Sequence, residues 1–378
     1  MHLLITHLRA FSYLVVGKCV LKLFYKVLND MTKPIVVLLT GAGGNIGREI
    51  LEMLIDLRNQ QHKYVIRVFD LNNSKNREFF DRFTDIEVFL GDITHKEDLE
   101  EATKGVDVVI HMASVIPPLA HEQPKLAHNV NVNGTKNLVH LLEEYSPNAF
   151  IAIASSVATY GDRLHTPHIK VGDPLIPAEG DNYAATKIEM EKIVQSSKLR
   201  WTIYRLAAIM GVGNHHVGKL MFRMPLEQVM EIATPTDTAR AFVNTLEHLD
   251  EVEGKIFNLG GGPECTTTYR EFLETNFKLF GLAPFDFPER AFATQNFHCG
   301  YYEDGDKLDD IVHFRQNTLA DYYRAVEENT SWVKRAATKM VSKVVKSYLL
   351  SKSEPYKAWI EKDQKGMDFY FSDGGKQK

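Results

Sequence analysis

LLTGAGGNIGREI, residues 38–50, contains the pattern on which the fold prediction depends. An apolar run leads into glycines at positions 41, 44 and 47, and a helical pattern begins at Gly47. Glycine permits a tight turn between strand and helix, and it lets the backbone approach a pyrophosphate without a Cβ atom in the way. The amino end of the helix then offers free N–H groups to the phosphates. The stretch therefore predicts a dinucleotide-binding turn.

The chain beyond this turn alternates short apolar runs with helical patterns. The apolar runs that are rich in strand-forming residues are 35–40, 64–70, 86–90, 106–112, 149–155, 201–206 and 255–259. The helical patterns between them include 47–59, 96–104, 131–144 and 182–197. Continuous apolar strands separated by helices are typical of a parallel sheet that is covered on both faces. The sequence therefore predicts the α/β class, with a doubly wound parallel sheet (a Rossmann fold) and a small C-terminal substrate-binding lobe.

The predicted domain boundaries follow changes in this pattern. Residues 31–206 form the dinucleotide-binding domain, and residues 207–330 form the substrate lobe, except that 255–259 returns to the main sheet. Residues 1–30 are interpreted as an N-terminal extension that need not be native, because Met31 opens directly into the first strand. An amphipathic anchor is the alternative.

Residues 331–378 are predicted to be a basic, amphipathic helical tail. Its apolar stripe consists of Trp332, Ala336, Met340, Val344 and Tyr348. Such a stripe is typical of a helix packed on its domain, and a helix lying on a membrane surface is the alternative.

Composition excludes several classes of function. The chain has 378 residues, of which 44% are hydrophobic and 25% charged, and its net charge is -5, so nothing indicates a nucleic-acid partner. No uncharged run is long enough for an integral membrane span. Cys19, Cys265 and Cys299 match no disulfide or metal spacing, which predicts reduced thiols, no metal and a cytoplasmic location. The adjacent His215 and His216 point apart and are interpreted as loop residues.

The ends of the second and third strands bear on the choice of cofactor. Asp70 ends the second strand, where a carboxylate can accept hydrogen bonds from the adenosine ribose and would repel a 2'-phosphate. This favours NAD over NADP, although Lys75 and Arg77 follow closely and are the opposing signal. Asp92 ends the third strand and is either a neighbour of the adenine or a turn aspartate.

The helical stretch 181–194, DNYAATKIEMEKIV, places a lysine on an apolar face. Tyr183 and Lys187 are one turn apart and share that face with Met190 and Val194. The alternative to a functional lysine is one that snorkels to the surface. A nearby ammonium lowers the pKa of a phenol, so Tyr183 could exchange a proton with a substrate oxygen while hydride moves to or from a nicotinamide. Ser156, at the carboxyl end of the fifth strand, would polarise that oxygen.

Eight motifs, in order between about residues 34 and 262, resemble those of the extended short-chain dehydrogenase/reductases, or NAD-dependent epimerase/dehydratase family. They are TGAGGNIG, GDIT, HMAS, NVNVNGT, SSVATYGD, YAATK, YRLAAIMG and FNLGGG. The resemblance implies catalytic roles for Ser156, Tyr183 and Lys187, with Asn131 ordering the site. It implies contacts to NAD by Gly41, Gly44, Asn45, Ile46, Gly47, Asp70, Asp92, Ile93, His111, Ala113, Tyr183 and Lys187.

Departures from the family's patterns narrow the expected reaction. Val157 and Ala158 follow Ser156, where family dehydratases and decarboxylases carry acidic residues. Ala207 and Ala208 replace the polar clamp of nucleotide-sugar epimerases, Arg223 is left as a phosphate candidate, and 221–225 is largely apolar. We therefore expect an NAD-dependent oxidoreductase that interconverts a hydroxyl and a carbonyl on a small or weakly polar substrate. The alternatives are an epimerase with tightly bound NAD and an inactive dinucleotide-binding sensor. A homodimer is compatible with the sequence.

Overall fold

The computed structural model describes residues 33–61, 63–213 and 218–375. Within them, seven parallel strands form one sheet. The strands are β1 (Ile35–Thr40), β2 (Tyr64–Asp70), β3 (Glu87–Leu90), β4 (Val108–His111), β5 (Phe150–Ser156), β6 (Arg200–Leu206) and β7 (Lys255–Leu259). Their order in the sheet is β7-β6-β5-β4-β1-β2-β3. The chain starts in the middle of the sheet and winds outward in both directions, so the predicted doubly wound fold is confirmed. The interpretations of residues 1–30 and of His215 and His216 lie outside the described residues.

Successive residues of the strands face two separate cores, as expected for a sheet buried on both sides. Val37 and Leu39 belong to the first core, and Leu38 between them belongs to the second. The first face is covered by the helices Asn45–Gln61 and Pro235–Asn244. The second face is covered by the helices Lys96–Thr103, Thr135–Tyr145 and Asn182–Gln195. Both faces of the sheet are therefore buried, which explains why the strand segments of the sequence are continuous apolar runs.

Two helix boundaries differ from the predicted ones near the sheet's carboxyl edge. The first helix begins at Asn45 rather than Gly47. The helix predicted at 131–144 consists of a π-helical turn, Asn129–Gly134, followed by the α-helix Thr135–Tyr145.

The segment after β7 contains two helices of about three turns each. They are Tyr269–Leu279 and Leu319–Asn329. Each helix begins with a capping box, in which a threonine and an acidic residue three positions later satisfy each other's backbone N–H groups. The two boxes pair Thr268 with Glu271 and Thr318 with Asp321. This spacing is the signal that could have located both helices.

Shorter elements complete the described chain. The short helical segments are Ser74–Phe80, Leu119–Glu122, Pro124–His128, Val157–Tyr160, Lys219–Phe222, Thr245–Glu247, Leu249–Val252, Pro263–Cys265 and Asp306–Val312. The short strands are His168–Ile169, Ala208–Ile209, Val229–Ala233, Thr266–Thr268 and Tyr301–Tyr302.

The tail consists of helices that wrap over the segment after β7. They are Trp332–Met340, Ser342–Leu350, Glu354–Glu361 and Gln364–Tyr370. A third apolar core lies outside the sheet and includes Phe222, Phe272 and Phe277. The tail contacts this third apolar core through Val345, Leu349 and Leu350.

The predicted stripe of the tail does not face the protein. Trp332 is 77% exposed, Met340 84% and Val344 71%, so the interpretation of the stripe as a packed face was wrong. The physical reason is that the helix is interrupted at Val341, and the following helix turns the face around Leu349 toward the core. Among the described residues, no helix combines the length and the apolar character needed to cross a bilayer.

Candidate active site

Tyr183 and Lys187 lie in the helix Asn182–Gln195, which begins next to the carboxyl end of β5. The helix is capped by Asp181, whose Oδ1 accepts a hydrogen bond from the Ala184 N–H at 2.9 Å. Lys187 Nζ donates to the Ala154 carbonyl at 2.9 Å and lies 5.7 Å from the centre of the Tyr183 ring. Because the lysine is only 2% exposed, the snorkelling alternative is wrong.

The two serines at the end of β5 point to opposite sides of the strand and have different partners. Ser156 lies beside the side chain of Tyr183, and its Oγ accepts a hydrogen bond from the Ala158 N–H at 3.2 Å. Ser155 donates its hydroxyl to Glu191. Glu191 also receives two hydrogen bonds from Arg205, at 2.9 and 2.7 Å, and this buried ion pair holds the Tyr183 helix against β6. Sequence reasoning missed Glu191, although its position one turn beyond Lys187 places it on the same buried face.

Burial dominates the electrostatics of this cluster. It raises the pKa of the Tyr183 phenol well above the usual value, and the neighbouring Ser156 hydroxyl opposes that shift. Burial also lowers the pKa of Lys187 to about 7, against the opposing charge of Glu191. The expected lowering of the phenol pKa by Lys187 is therefore not the net result in this structure. The reason is that Tyr183 is buried and Lys187 Nζ is engaged by the Ala154 carbonyl.

The burial of Lys187 predicts a pH-dependent difference in stability between the wild type and Lys187→Met. The unfolded lysine titrates near 10.5, and the folded one near 7. Between these values the unfolded chain binds more protons, so the free energy of unfolding should rise with pH by up to about 1.4 kcal/mol per unit. Below about pH 7 both states are protonated and the cost of burying the charge is complete.

We expect denaturant titrations to show that wild-type stability, minus that of Lys187→Met, increases between about pH 7 and pH 9. The methionine variant is the control for the other titrating groups. A difference that stays constant over this range would contradict the assignment of a low pKa to Lys187.

Asn131 links the segment after β4 to the Tyr183 helix. Its Oδ1 accepts a hydrogen bond from the Val115 N–H at 2.7 Å. Its Nδ2 donates to the Val115 carbonyl and to Thr186 Oγ1, both at 3.0 Å. The amide belongs to the π-helical turn Asn129–Gly134 and is fully buried. These contacts match the ordering function that was expected for Asn131, which stays a prediction.

His111 is a satisfied core histidine. Its Nδ1 lies 2.7 Å from Thr40 Oγ1, and its Nε2 lies 3.0 Å from Thr135 Oγ1. Burial, with a smaller contribution from the charge of Lys187, lowers the pKa of His111 to about 3. Both nitrogens of the neutral ring are engaged inside the protein, so a cofactor contact predicted at this position would have to use the backbone.

The glycine turn between β1 and the first helix leaves no room for side chains at two positions. At Gly41, where φ is +73°, a Cβ atom would lie 2.6 Å from the Ala113 nitrogen. At Gly47 it would lie 2.1 Å from the Gly41 carbonyl oxygen. Gly44 and Asn45 are exposed, and the first turn of the helix carries no acidic residue. The open helix end and the closed turn behind it fit a pyrophosphate.

Asp70 lies beside this turn, as predicted, and already has three donors. Its Oδ2 accepts from the Gly43 N–H at 2.6 Å. Its Oδ1 accepts from the Leu71 N–H at 2.7 Å and from Asn76 Nδ2 at 3.0 Å. A carboxylate has about four acceptor positions, so about one is left for a ribose hydroxyl. Asp70 therefore also orders the glycine turn, a role that the sequence analysis did not foresee.

The end of β3 favours the turn interpretation of Asp92. Its Oδ1 accepts from the Thr94 N–H at 2.9 Å and from the Thr94 hydroxyl at 2.8 Å. The neighbouring Ile93 is buried. It packs so closely on Gly134 that a Cβ atom added to Gly134 would lie 2.7 Å from Ile93 Cγ2. Ile46 is half-buried and packs against the first core. Cofactor contacts by these residues stay predictions.

A buried hydroxyl stands next to the glycine turn. Ser114 Oγ is enclosed and makes no hydrogen bond within the described part of the chain. It lies between Ala113, which touches the turn, and Val115, which Asn131 holds. A buried polar atom without a partner indicates room for a ligand's polar group. The sequence motif HMAS includes this serine, but its hydroxyl was not singled out.

Two further contacts involve the substrate-lobe segment, one with the Tyr183 helix and one with the tail. His298 Nδ1 lies 2.7 Å from Oδ2 of Asp181, the capping residue of the Tyr183 helix. The 117 positions between them explain why the sequence did not reveal this pair. Arg223 Nε donates to the carboxylate of Glu354, so its charge is compensated and its suitability as a phosphate ligand is reduced.

The segment 221–225 serves the core rather than a pocket wall. Met221, Phe222 and Met224 are buried in the third apolar core, with Phe287 and Phe292 against Phe222. Their apolar character is therefore explained by packing. Over residues 33–61, 63–213 and 218–375, no group of three or more His, Cys, Asp or Glu side chains could hold a metal ion.

Comparison with known proteins places this geometry among related sequences. The sequence model of the 3-beta hydroxysteroid dehydrogenase/isomerase family matches residues 38–203. A 3-beta-hydroxysteroid dehydrogenase of Mycolicibacterium neoaurum is 29% identical over 207 residues, which are 51% of this chain and 52% of the relative. A decarboxylating sterol-4-alpha-carboxylate 3-dehydrogenase of Saccharomyces cerevisiae is 27% identical over 195 residues, or 50% and 54% of the two chains. The chain thus spans about half the length of these relatives.

Solved structures agree with the fold. The UDP-glucose 4-epimerase of Thermus thermophilus, in complex with NAD, superimposes with a TM-score of 0.63 at 23% identity. The superposition covers 78% of this chain and 99% of the epimerase. At this level of identity the similarity supports the architecture alone.

Proposed function

Because this chain belongs to the extended short-chain dehydrogenase/reductase family, we propose that it is an NAD-dependent oxidoreductase that interconverts a hydroxyl and a carbonyl group. The observation that carries the proposal is the buried cluster at the end of β5. There the side chains of Tyr183 and Ser156 are buried beside each other, and Lys187 is enclosed one turn further along the helix. Such a cluster can hold one oxygen atom and exchange a proton with it.

The residues divide the work of binding and proton transfer. The turn at Gly41 to Gly47 and the helix end at Asn45 would bind the pyrophosphate, and Asp70 would accept one ribose hydroxyl. When bound, the nicotinamide supplies the hydride acceptor or donor. Ser156 would donate to the substrate oxygen while the Tyr183 hydroxyl exchanges a proton with it.

Lys187 and Asn131 would support this exchange without touching the substrate. The Lys187 ammonium opposes the burial cost of a Tyr183 phenolate, because an opposite charge nearby favours the ionised phenol. Asn131 keeps the segment after β4 in place through its contacts with Val115 and Thr186. Both residues therefore act as positioning groups in this proposal.

We propose a secondary alcohol on an apolar ring skeleton as the substrate class, such as a 3β-hydroxysteroid. The named activities of the relatives support this choice. The compensated charge of Arg223 supports it against a nucleotide sugar, because a diphosphate would have to compete with Glu354 for the guanidinium. Residues 207–330, without β7, would form the substrate lobe, and residues 331–378 would remain a separate tail.

The test is a screen of the purified protein with 3β-hydroxysteroids and simpler secondary alcohols, in the presence of NAD or NADP. We expect reduction of NAD, followed by absorbance of the nicotinamide, with at least one apolar alcohol, and a slower reaction with NADP because of Asp70. UDP-glucose and UDP-galactose serve as controls and should not be converted. Turnover of a UDP-sugar without net change in NAD would contradict the oxidoreductase assignment and support the epimerase assignment.

Location and assembly belong to the same proposal. Cys265 and Cys299 are free and buried, which supports a reducing compartment such as the cytoplasm. A homodimer stays a prediction.

A further inference from the structure

The tail carries a patch of exposed apolar side chains that the proposed reaction does not use. We define the tail patch as six residues of the helices Trp332–Met340 and Ser342–Leu350 and of the junction between them. They are Trp332, Val333, Met340, Val341, Val344 and Tyr348, and each is at least 48% exposed. The helix Trp332–Met340 has no buried residue at all. Large apolar side chains clustered on a surface indicate an interaction site.

The patch is a feature of a well-anchored segment rather than of a loose end. Leu349 and Val345 pack into the third apolar core from the same helix. Lys346 Nζ donates to the Pro284 carbonyl at 3.0 Å. Farther along, Ser353 Oγ donates to the Ala291 carbonyl at 2.6 Å, and Arg290 holds Asp373 through two hydrogen bonds. The inner face of the tail is thus occupied, and the patch is the face that remains.

The segment that carries the patch is basic. Between Ser331 and Ser353 the sequence has six Lys or Arg residues and no Asp or Glu, and two of the six, Arg335 and Lys346, are paired with Glu327 and Asp286 of other segments. Lys334, Lys339, Lys343 and Lys352 are exposed. An apolar stripe with a tryptophan and flanking lysines matches a helix that lies in a lipid interface, where the apolar residues enter the acyl boundary and the lysines reach the headgroups.

Charge also argues against two other partners of the tail patch, namely the N-terminal residues of the chain and a second copy of it. Residues 1–32 contain Arg9, Lys18, Lys22 and Lys26 against a single acidic residue, Asp30, so they would meet the patch with like charge. A second copy that paired patch to patch would bring the same lysines together. An anionic lipid surface would cover the exposed apolar side chains and would attract the lysines rather than repel them.

We propose that the tail patch is a docking surface for an anionic lipid bilayer, on which the helices Trp332–Met340 and Ser342–Leu350 lie parallel to the membrane plane. This surface would bind lipid whether or not the chain has the proposed oxidoreductase activity. Because the two helices would lie in the interface plane, attachment through this surface would be peripheral and reversible.

The experiment is co-sedimentation of the full-length protein with vesicles. One set contains phosphatidylcholine alone, and the other contains phosphatidylcholine mixed with phosphatidylserine. We expect binding to the anionic vesicles to be about tenfold tighter and to weaken with added salt. Equal binding to both sets, or no binding to the anionic set, would overturn the proposal.

Two variants and a matched control assign the binding to the patch. The combined change Trp332→Ser, Met340→Ser and Val344→Ser removes apolar area, and Lys334→Glu, Lys339→Glu and Lys343→Glu reverses the charge. Each should reduce binding about tenfold or more without unfolding the protein, because all six side chains are exposed. The control Val88→Ser, Leu126→Ser and Ile360→Ser changes exposed apolar residues outside the patch and should bind as the wild type does.

Sedimentation velocity without vesicles separates the remaining occupants. An oligomeric state that is the same in the wild type and in all variants agrees with a lipid surface. Self-association of the wild type that the serine variant abolishes would identify a second copy as the occupant and overturn the proposal. Wild-type lipid binding by the serine variant would also overturn it, because another segment would then hold the membrane.

Discussion

Tyr183→Phe is expected to reduce turnover about a thousandfold while leaving the fold and the affinity for NAD nearly unchanged. General acid–base groups contribute on the order of 10² to 10⁴ in rate, and the substitution removes only the proton that is transferred. The ring is buried and its packing is preserved by phenylalanine. Turnover is measured with the best alcohol from the screen, and NAD affinity by titration in the absence of substrate.

The control for this prediction is Tyr204→Phe. Tyr204 is also fully buried, and its hydroxyl lies 2.6 Å from Thr245 Oγ1 in the first core, away from the end of β5. It should lose about 1 kcal/mol of stability and keep its rate. If Tyr183→Phe retains a rate close to that of the wild type, Tyr183 is not the proton-transfer group.

Gly47→Ala is expected to abolish measurable binding of NAD and to lower the free energy of unfolding by about 1–3 kcal/mol. A methyl group there would lie 2.1 Å from the Gly41 carbonyl oxygen and 2.9 Å from Ala42 Cα. Both neighbours are backbone atoms, so the turn itself has to move. Since the turn and the helix end at Asn45 form the proposed pyrophosphate site, cofactor binding should fail before the fold does.

Gly172→Ala is the matched control, because a Cβ atom there would meet nothing within 4 Å. Gly44→Ala is intermediate, with its closest contact at 3.1 Å to the Gly41 oxygen. We expect cofactor affinity to fall in the order Gly172→Ala, Gly44→Ala, Gly47→Ala, as measured by titration with NAD. Normal affinity in Gly47→Ala would show that the cofactor binds elsewhere.

The sheet could be predicted from the sequence because its signals are local. All seven apolar runs became strands of one sheet, and 255–259 returned to it beside β6. The tail was harder, because amphipathic periodicity shows that a helix has two faces without showing which face has a partner. Trp332 and Leu349 are both apolar, and only the position of the third core decides that Leu349 is covered.

The candidate site divides in the same way. Tyr183, Lys187 and Ser156 could be named because a lysine on an apolar face and a serine at a strand end are visible along the chain. The contact between His298 and Asp181 joins residues 117 positions apart, so no local pattern announces it. The pKa of Tyr183 also could not be predicted from the sequence, because it depends on tertiary structure. Burial raises this pKa, and the Lys187 ammonium, which could lower it, donates to the Ala154 carbonyl instead.

The π-helical turn Asn129–Gly134 makes this part of the chain sensitive to length. A helix rotates about 100° per residue, and the wide turn inserts one extra residue ahead of Thr135–Tyr145. Leu138 and Leu142 can therefore sit on the sheet while Asn131 points at Val115. Deleting one residue here would restore an ordinary helical phase and rotate Asn131 away. Insertions and deletions should therefore be tolerated at this position far less than substitutions of the exposed Asn129.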